Sequence, residues 1–324
     1  MGALSDDERW IGAALALAER GRGRAAPNPA VGCVIVAGGR VVGRGWTQPG
    51  GRPHAEAMAL TAAGAKSRGA TCYTTLEPCA HRSHRGPACA DLLVAAGVAR
   101  VVAAIGDPDP RTDGAGMAAL KQAGIATSCG VREAEARRSM AGFLARRRAS
   151  RPHVTLKLAT SLDGCIALAD GSSRWITGAR ARAHTHLERS RHEAILVGRG
   201  TLAIDAPLLD VRLPGLEARA PRRVLLSRSS APPGWETISH PAAIRDLAGV
   251  DHLLIEGGAG AAAAFLAADL VDRLLLYRAP ILIGGGKPAI GDIGLGDLGA
   301  AHGRWTRVDR RQLGTDTLEV YERG

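Results

Sequence analysis

Apolar and polar positions follow two rhythms along this chain, and the order of those rhythms predicts two α/β halves. Trp10, Ala14, Leu17 and Ala18 recur at helical spacing behind Ser5 and Glu8, which have capping-box spacing, so a helix is expected from there to about Arg20. Residues 31–36 and 41–46 are strand-like runs around Ala37-Gly38-Gly39, a hairpin signal. Helix and strand then alternate: a helix over 55–66, a strand over 71–76, a helix over 90–96 closed by Gly97, and a strand over 100–105. A helix over 116–123, a short strand over 125–128 and a charged helix from Arg132 onward complete this half. An opening hairpin followed by βα units argues for a sheet with helices on both faces.

The basic run Arg146-Arg147-Arg148-Ala149-Ser150-Arg151-Pro152 breaks the rhythm and reads as a helix end and linker, dividing the chain into 1–147 and 152–324. The second half restarts with a strand over 153–158. Strands over 194–197, 223–227, 252–256 and 273–277 follow, separated by helices, and 305–308 with 318–321 form an antiparallel pair.

With 324 residues, each half is long enough to bury its own core. There is no long apolar run and no signal-peptide pattern, so the expected location is cytoplasmic, with the six cysteines as thiols or metal ligands. The net charge of +11 suits nucleic acid or phosphorylated small molecules alike. Aromatic residues make up only 3%, which leaves few platforms for stacking on single strands. A nucleic-acid partner and a membrane partner are therefore not expected.

The chemistry concentrates in His54-Ala55-Glu56, followed by Pro78-Cys79 and, ten residues on, Cys89. One imidazole and two thiolates give tetrahedral zinc three ligands and an open fourth position. A water held there ionises near neutral pH, and Glu56 is close enough to move its protons without being a ligand. His-x-Glu followed by Pro-Cys is the signature of zinc nucleobase deaminases, although the second cysteine comes later here than in the signature's Cys-x-x-Cys form. Cys89 begins a helical run, where the backbone N–H groups favour a thiolate.

Three clusters in the second half sit at predicted strand ends: Lys157 to Gly164, Gly198 to Arg212, and Glu256-Gly257-Gly258-Ala259-Gly260. Each alone is as well explained by turn chemistry. Together they favour a cleft for a phosphorylated ligand or dinucleotide.

These residues carry a resemblance to the RibD (RibG) family of bifunctional riboflavin-biosynthesis deaminase–reductases over essentially the full length. In the first half it rests on Pro27-Asn28-Pro29-Ala30-Val31-Gly32, His54-Ala55-Glu56, and Thr75-Leu76-Glu77-Pro78-Cys79 with His81. In the second it rests on 157–164, Ser173-Arg174-Trp175-Ile176-Thr177, 198–212 and Glu256-Gly257-Gly258. The resemblance implies an α/β chain of two three-layer αβα domains, cytidine-deaminase-like and then dihydrofolate-reductase-like. It also implies Zn2+ and NADPH, a phosphorylated pyrimidine substrate and a homo-oligomer. The implied roles are metal binding by His54, Cys79 and Cys89, and catalysis by Glu56, Lys157 and Asp205. Ala159, Trp175, Thr201, Asp205, Gly257, Gly258 and Gly260 match cofactor positions. Asn28, His81, Ser173, Arg189, Leu209, Arg212 and Glu256 match substrate positions, with His84 competing for the role of His81. Arg189 and Arg212 suit a phosphate.

The chain departs from the family pattern in an extra residue between Cys79 and Cys89, in Ala206 after Asp205, in Cys165 after Asp163-Gly164, and in a shorter stretch between Arg212 and Arg245. Two rival readings are a nucleic-acid base deaminase, which leaves the second half unexplained, and a deaminase whose second half only binds ligand or oligomerises.

Overall fold

The computed structural model describes residues 4–81 and 85–324, and the chain divides between Ala149 and Ser150 into two compact units. No helix among the described residues is long and apolar enough to cross a membrane.

In the first unit, α1 (Asp6–Ala18) starts at the expected capping box: the Ser5 side chain accepts from the Glu8 N–H, and the Glu8 carboxylate accepts from the Ser5 N–H. Its buried face is Trp10, Ile11, Ala14, Leu15 and Ala18, so Ile11 and Leu15 join the expected stripe and Leu17 sits at its margin. The strands β1 (Gly32–Ala37), β2 (Arg40–Trp46), β3 (Thr71–Thr74), β4 (Arg100–Ala103) and β5 (Ala126–Cys129) form one sheet in the order β2-β1-β3-β4-β5. The hairpin and the β1–β3 pair are antiparallel, and the remaining pairs are parallel.

Two glycines show how closely helices lie on both faces. A Cβ on Gly32 would stand 1.9 Å from the Ala14 carbonyl of α1, and one on Gly45 would stand 2.3 Å from the Ala55 carbonyl of α2 (Ala55–Ala63). Gly32 pairs with Trp46 and Gly45 with Cys33, so the pleat puts α1 and α2 on opposite faces.

Several boundaries differ from the sequence reading. The helix after His54 stops at Ala63, because Gly64 takes φ 53° and a 3-10 turn continues to Ser67. β3 leaves the sheet at Thr74, which frees 75–79 for the site. The charged helix breaks at Met140 into α5 (Glu133–Ser139) and α6 (Ala141–Ala149). The other helices are α3 (Cys89–Ala96) and α4 (Ala115–Gln122).

The second unit contains an eight-stranded sheet in the order β10-β9-β8-β11-β6-β12-β15-β14. Its strands are β6 (His153–Thr160), β8 (Ala194–Gly198), β9 (Arg222–Leu226), β10 (Trp235–Ile238), β11 (His252–Ile255), β12 (Arg273–Arg278), β14 (Trp305–Leu313) and β15 (Asp316–Arg323). β10 to β12 run parallel across the sheet, and β15 and β14 close it antiparallel. The short β7 (Cys165–Ala167) and β13 (Lys287–Pro288) pair separately. β7, β10 and β13 were not expected from the sequence. No α-helix separates β9 from β11; β10 and a 3-10 turn over Pro241–Asp246 fill that space.

Val154, Leu156 and Leu158 of β6 share one face with Ala262 and Phe265 of α9 (Ala259–Ala267). Leu275 and Tyr277 of β12 share the other face with Ala181 of α7 (Ala179–Arg189). Lys157 pairs with Leu275, so the pleat points it to the α7 face. α8 (Arg199–Asp205) follows β8 directly.

Candidate active sites

His54 caps α2, Cys89 opens α3, and Cys79 lies beyond the end of β3, so three elements converge. The Nδ1 of His54 lies 3.3 Å from the Cys89 sulfur and 3.6 Å from the Cys79 sulfur. The three donor atoms all fall within 4.8 Å of one another. Tetrahedral zinc with ordinary bond lengths separates such ligands by about 3.5–3.8 Å, so the donor set fits that ion. All six cysteines are free thiols.

The helix N-terminus favours a different sulfur from the expected one. The N–H of Cys89 donates to the Cys79 sulfur at 3.3 Å. The Cys89 side chain, then His54 and that N–H, hold the Cys79 thiol well below its ordinary range against the effect of burial. The neighbouring Cys79 sulfur and burial push the Cys89 thiol up. A helix start thus stabilises the thiolate presented to its first N–H.

Glu56, in the first turn of α2, is 3% exposed, and burial raises its carboxyl above the ordinary range. Its Oε2 accepts from the Cys89 thiol at 3.4 Å and its Oε1 from the Thr74 hydroxyl at 3.5 Å. Glu56 therefore borders the ligand triangle with a carboxyl that holds a proton more readily than an exposed one. Asn28 donates to the Gly51 carbonyl at 2.8 Å and lies 3.0 Å from the outer nitrogen of the His54 ring, so it braces that ring.

A cavity of about 330 Å³ opens in front of this cluster, lined by Asn28, His54, Glu56, Cys79 and His81 among others. The Nδ1 of His81 lies 3.4 Å from the Thr112 hydroxyl. His84 lies outside the described residues. The lining also includes Asp107, Asp109, Arg111 and Arg147, to which the sequence reading gave no role in a site. Asp109 accepts from Arg111 at 2.6 Å and from Arg147 at 3.2 Å, so two guanidinium groups are held at the cavity by one carboxylate. Burial pushes the Asp107 carboxyl up to about 6. In the sequence, Asp107-Pro108-Asp109-Pro110 reads as a loop and Arg147 as part of a basic helix end, so neither marks a site.

In the second unit, β11 lies between β8 and β6, and this order brings Glu256 to Lys157. Glu256 accepts from Arg189 Nε at 2.7 Å and Nη2 at 2.9 Å, and Lys157 Nζ lies 3.9 Å from its Oε2. Burial lowers the Lys157 ammonium against the pull of Glu256. Arg189 also donates to the Asp210 carbonyl at 3.0 Å. Its fork is thus turned to Glu256, whereas Arg212 is 60% exposed, with Asp210 3.4 Å from its Nε. The Leu209 side chain is buried among Ile195, Val197 and Leu254, which leaves only its backbone for a ligand.

The glycine turn after β11 meets α8: the Gly258 N–H donates to the Thr201 hydroxyl at 3.0 Å. A Cβ on Gly257 would stand 2.5 Å from that of Ala261, so only glycine allows this tight turn into α9, while Gly260 faces open space. This turn, opening a helix at the carboxyl ends of parallel strands, fits the phosphates of a dinucleotide such as NADPH. Ala159 lies near the end of β6 on the Lys157 face. Trp175 is 64% exposed, with the Arg182 guanidinium 4.7 Å from its ring centre. The half-buried Ser173 lies on the same segment, which meets α8 where Arg174 donates to the Asp205 carbonyl at 3.1 Å.

Residues 4–105 match the cytidine and deoxycytidylate deaminase zinc-binding region, and residues 152–318 match the RibD C-terminal domain. The riboflavin biosynthesis protein RibD of Escherichia coli K12 is 40% identical over 326 residues, covering 86% of this chain and 89% of that protein. RibD of Mycobacterium tuberculosis H37Rv is 39% identical over 313 residues, covering 92% and 91%. Among solved structures, Acinetobacter baumannii RibD superposes with a TM-score of 0.86 at 34% identity, covering 98% of this chain and 99% of that one. A Thermotoga maritima diaminohydroxyphosphoribosylaminopyrimidine deaminase/5-amino-6-(5-phosphoribosylamino)uracil reductase gives 0.86 at 31% identity, with the same coverage. With both halves matched in order and the relatives aligned over most of their length, this chain belongs to the RibD family of riboflavin biosynthesis, in which a zinc-type deaminase domain precedes a reductase domain.

Proposed function

We propose that the chain deaminates 2,5-diamino-6-ribosylamino-4(3H)-pyrimidinone 5′-phosphate in residues 1–147. It then reduces the ribosyl group with NADPH in residues 152–324, giving 5-amino-6-(5-phospho-D-ribitylamino)uracil. The observation that carries this reading is the His54–Cys79–Cys89 triangle with the Glu56 carboxyl 3.4 Å from one of its sulfurs.

His54, Cys79 and Cys89 would hold zinc, which when bound supplies the Lewis acidity that makes water nucleophilic at neutral pH. Glu56 takes the proton released by that water, delivers it to the ring nitrogen beside the attacked carbon, and then serves the departing ammonia. A carboxyl whose affinity for protons is raised by burial suits both halves of that transfer. Asn28 and His81 orient the pyrimidine from the cavity wall.

In the reductase half, NADPH supplies the hydride when bound. The Gly257-Gly258-Gly260 turn and Thr201 receive its phosphates, with Ala159, Trp175 and Asp205 along the same groove. Lys157, beside Glu256, gives a proton to the sugar as its ring opens, and Asp205 assists at the cofactor side. Ser173, the Leu209 backbone, Arg189 and Arg212 bind the ribosyl phosphate. The exposed Arg212 carries most of the phosphate charge, because Arg189 is already paired. A homo-oligomer belongs to the same reading, as does the lack of a nucleic-acid partner, the latter supported by the low aromatic content of 3%.

The test supplies the purified, zinc-loaded protein with the diaminopyrimidine ribosyl phosphate and follows ammonia and NADPH together. Ammonia release followed by NADPH consumption is expected. Ammonia without NADPH consumption would reduce the second half to a binding domain.

A further inference from the structure

Glu77 lies two residues before Cys79 and is 3% exposed. Its carboxylate accepts three backbone N–H groups: Oε2 from Asp107 at 3.2 Å and Gly114 at 3.0 Å, and Oε1 from Met117 at 3.1 Å. Gly114 caps α4 and Met117 is in its first turn, so this anion sits at the positive end of that helix and takes up N–H groups the helix cannot pair itself. The backbone repeats the connection. The Glu77 N–H donates to the Ile105 carbonyl at 2.9 Å, and a Cβ on Gly116 would stand 1.9 Å from the Pro78 carbonyl. The segment between Ile105 and Met117 also supplies Asp107, Asp109 and Arg111 to the cavity wall, and Thr112 to His81.

We infer that Glu77 is a positioning residue for the deaminase: it ties Pro78-Cys79 to the start of α4, setting both the Cys79 sulfur and the cavity lining supplied by residues 105–117. It acts through the segment after β3 that also carries Cys79, as a partner beyond the direct ligands. The inference rests on zinc being held by His54, Cys79 and Cys89.

Glu77→Gln keeps the volume but replaces one acceptor oxygen with an amide donor, leaving at least one buried N–H unpaired. Outer partners of metal ligands typically govern affinity by about 10–100-fold. Zinc affinity, measured by competition with a chromophoric chelator, should fall by that factor. The visible spectrum of the cobalt(II)-substituted protein should change, while NADPH consumption with deaminated substrate stays at the parent level. A second measurement needs no variant. Coupling between sites is reciprocal, so zinc loading of the parent protein should slow amide exchange across residues 105–117. Unchanged affinity and cobalt spectrum in Glu77→Gln would overturn the inference. So would exchange indifferent to zinc, which also decides the matter if the variant fails to fold. A parent protein that binds no zinc would overturn the underlying reading along with it, which separates the two failures.

Discussion

Arg189 of α7 and Glu256 beyond β11 meet through two parallel hydrogen bonds of 2.7 and 2.9 Å, although 67 residues separate them in the chain. Both matched substrate positions, and the structure makes each the other's partner. Removing Arg189 takes the two-pronged partner from a buried carboxylate and leaves it the more distant Lys157 ammonium, at a cost of about 3–5 kcal/mol. Arg189→Met is therefore expected to lower the unfolding midpoint of the second unit and abolish NADPH consumption. The double variant Arg189→Met/Glu256→Met should recover part of the stability, since it leaves the buried Lys157 without Glu256, and none of the reduction. Equal destabilisation in the two would show that the pairing contributes nothing.

Glu56 borders the His54–Cys79–Cys89 cluster without belonging to it. Glu56→Gln should keep its zinc while ammonia release falls by about 10²–10⁴-fold, the usual contribution of a positioned proton carrier. Elemental analysis and an ammonia assay on the same sample decide this. Zinc lost along with activity would make Glu56 a ligand or its support.

Arg151 donates to Asp272 at 2.6 and 2.7 Å, and the Val154 N–H adds a third bond at 2.8 Å. Burial alone would raise the Asp272 carboxyl, but these partners outweigh it, and the net shift is downward. A lowered folded-state value means that the stabilisation is complete above the unfolded value of about 3.9 and is lost as pH falls through the folded value. Asp272→Asn should thus cost roughly 3 kcal/mol at neutral pH, with the gap from the parent flat between about pH 5 and 8 and closing below about pH 4. Urea unfolding across that range checks it, and a gap that persists at low pH would sink the assignment.

Gly45 lets α2 lie against β2, since a Cβ there would be 2.3 Å from the Ala55 carbonyl and 2.6 Å from the Met58 Cβ. Gly45→Ala must push away the helix that carries Glu56 and begins at His54, an overpacking cost of about 1–3 kcal/mol. Faster loss of zinc to a chelator is expected, with the reductase reaction untouched. Parent-like zinc retention would mean that α2 moves without the ligands following.

The first helix, the opening hairpin and most of the strands were legible in the chain because each depends on near neighbours, and His54, Cys79 and Cys89 because their residue types and order match a known signature. Ser5 and Glu8 cap a helix from three residues apart. His54 and Glu56 flank one helix start, and Pro-Cys beyond a strand has little freedom in where it points. The strands β7, β10 and β13 carried no such mark, being short or built from residues equally at home in loops.

Local rhythm and motif spacing alone determined that there are two α/β halves, that the first presents one imidazole and two thiolates beside a carboxyl, and that glycine turns end strands in the second. Only the tertiary structure decided which sulfur a helix start stabilises, that Arg189 faces Glu256, and that Glu77 gathers the N–H groups of a segment some 30–40 residues away. Strand order governs those meetings. The chain folds so that β11 lies between β8 and β6, and β4 beside β3, and that order is set by the packing of whole faces rather than by any short run of residues.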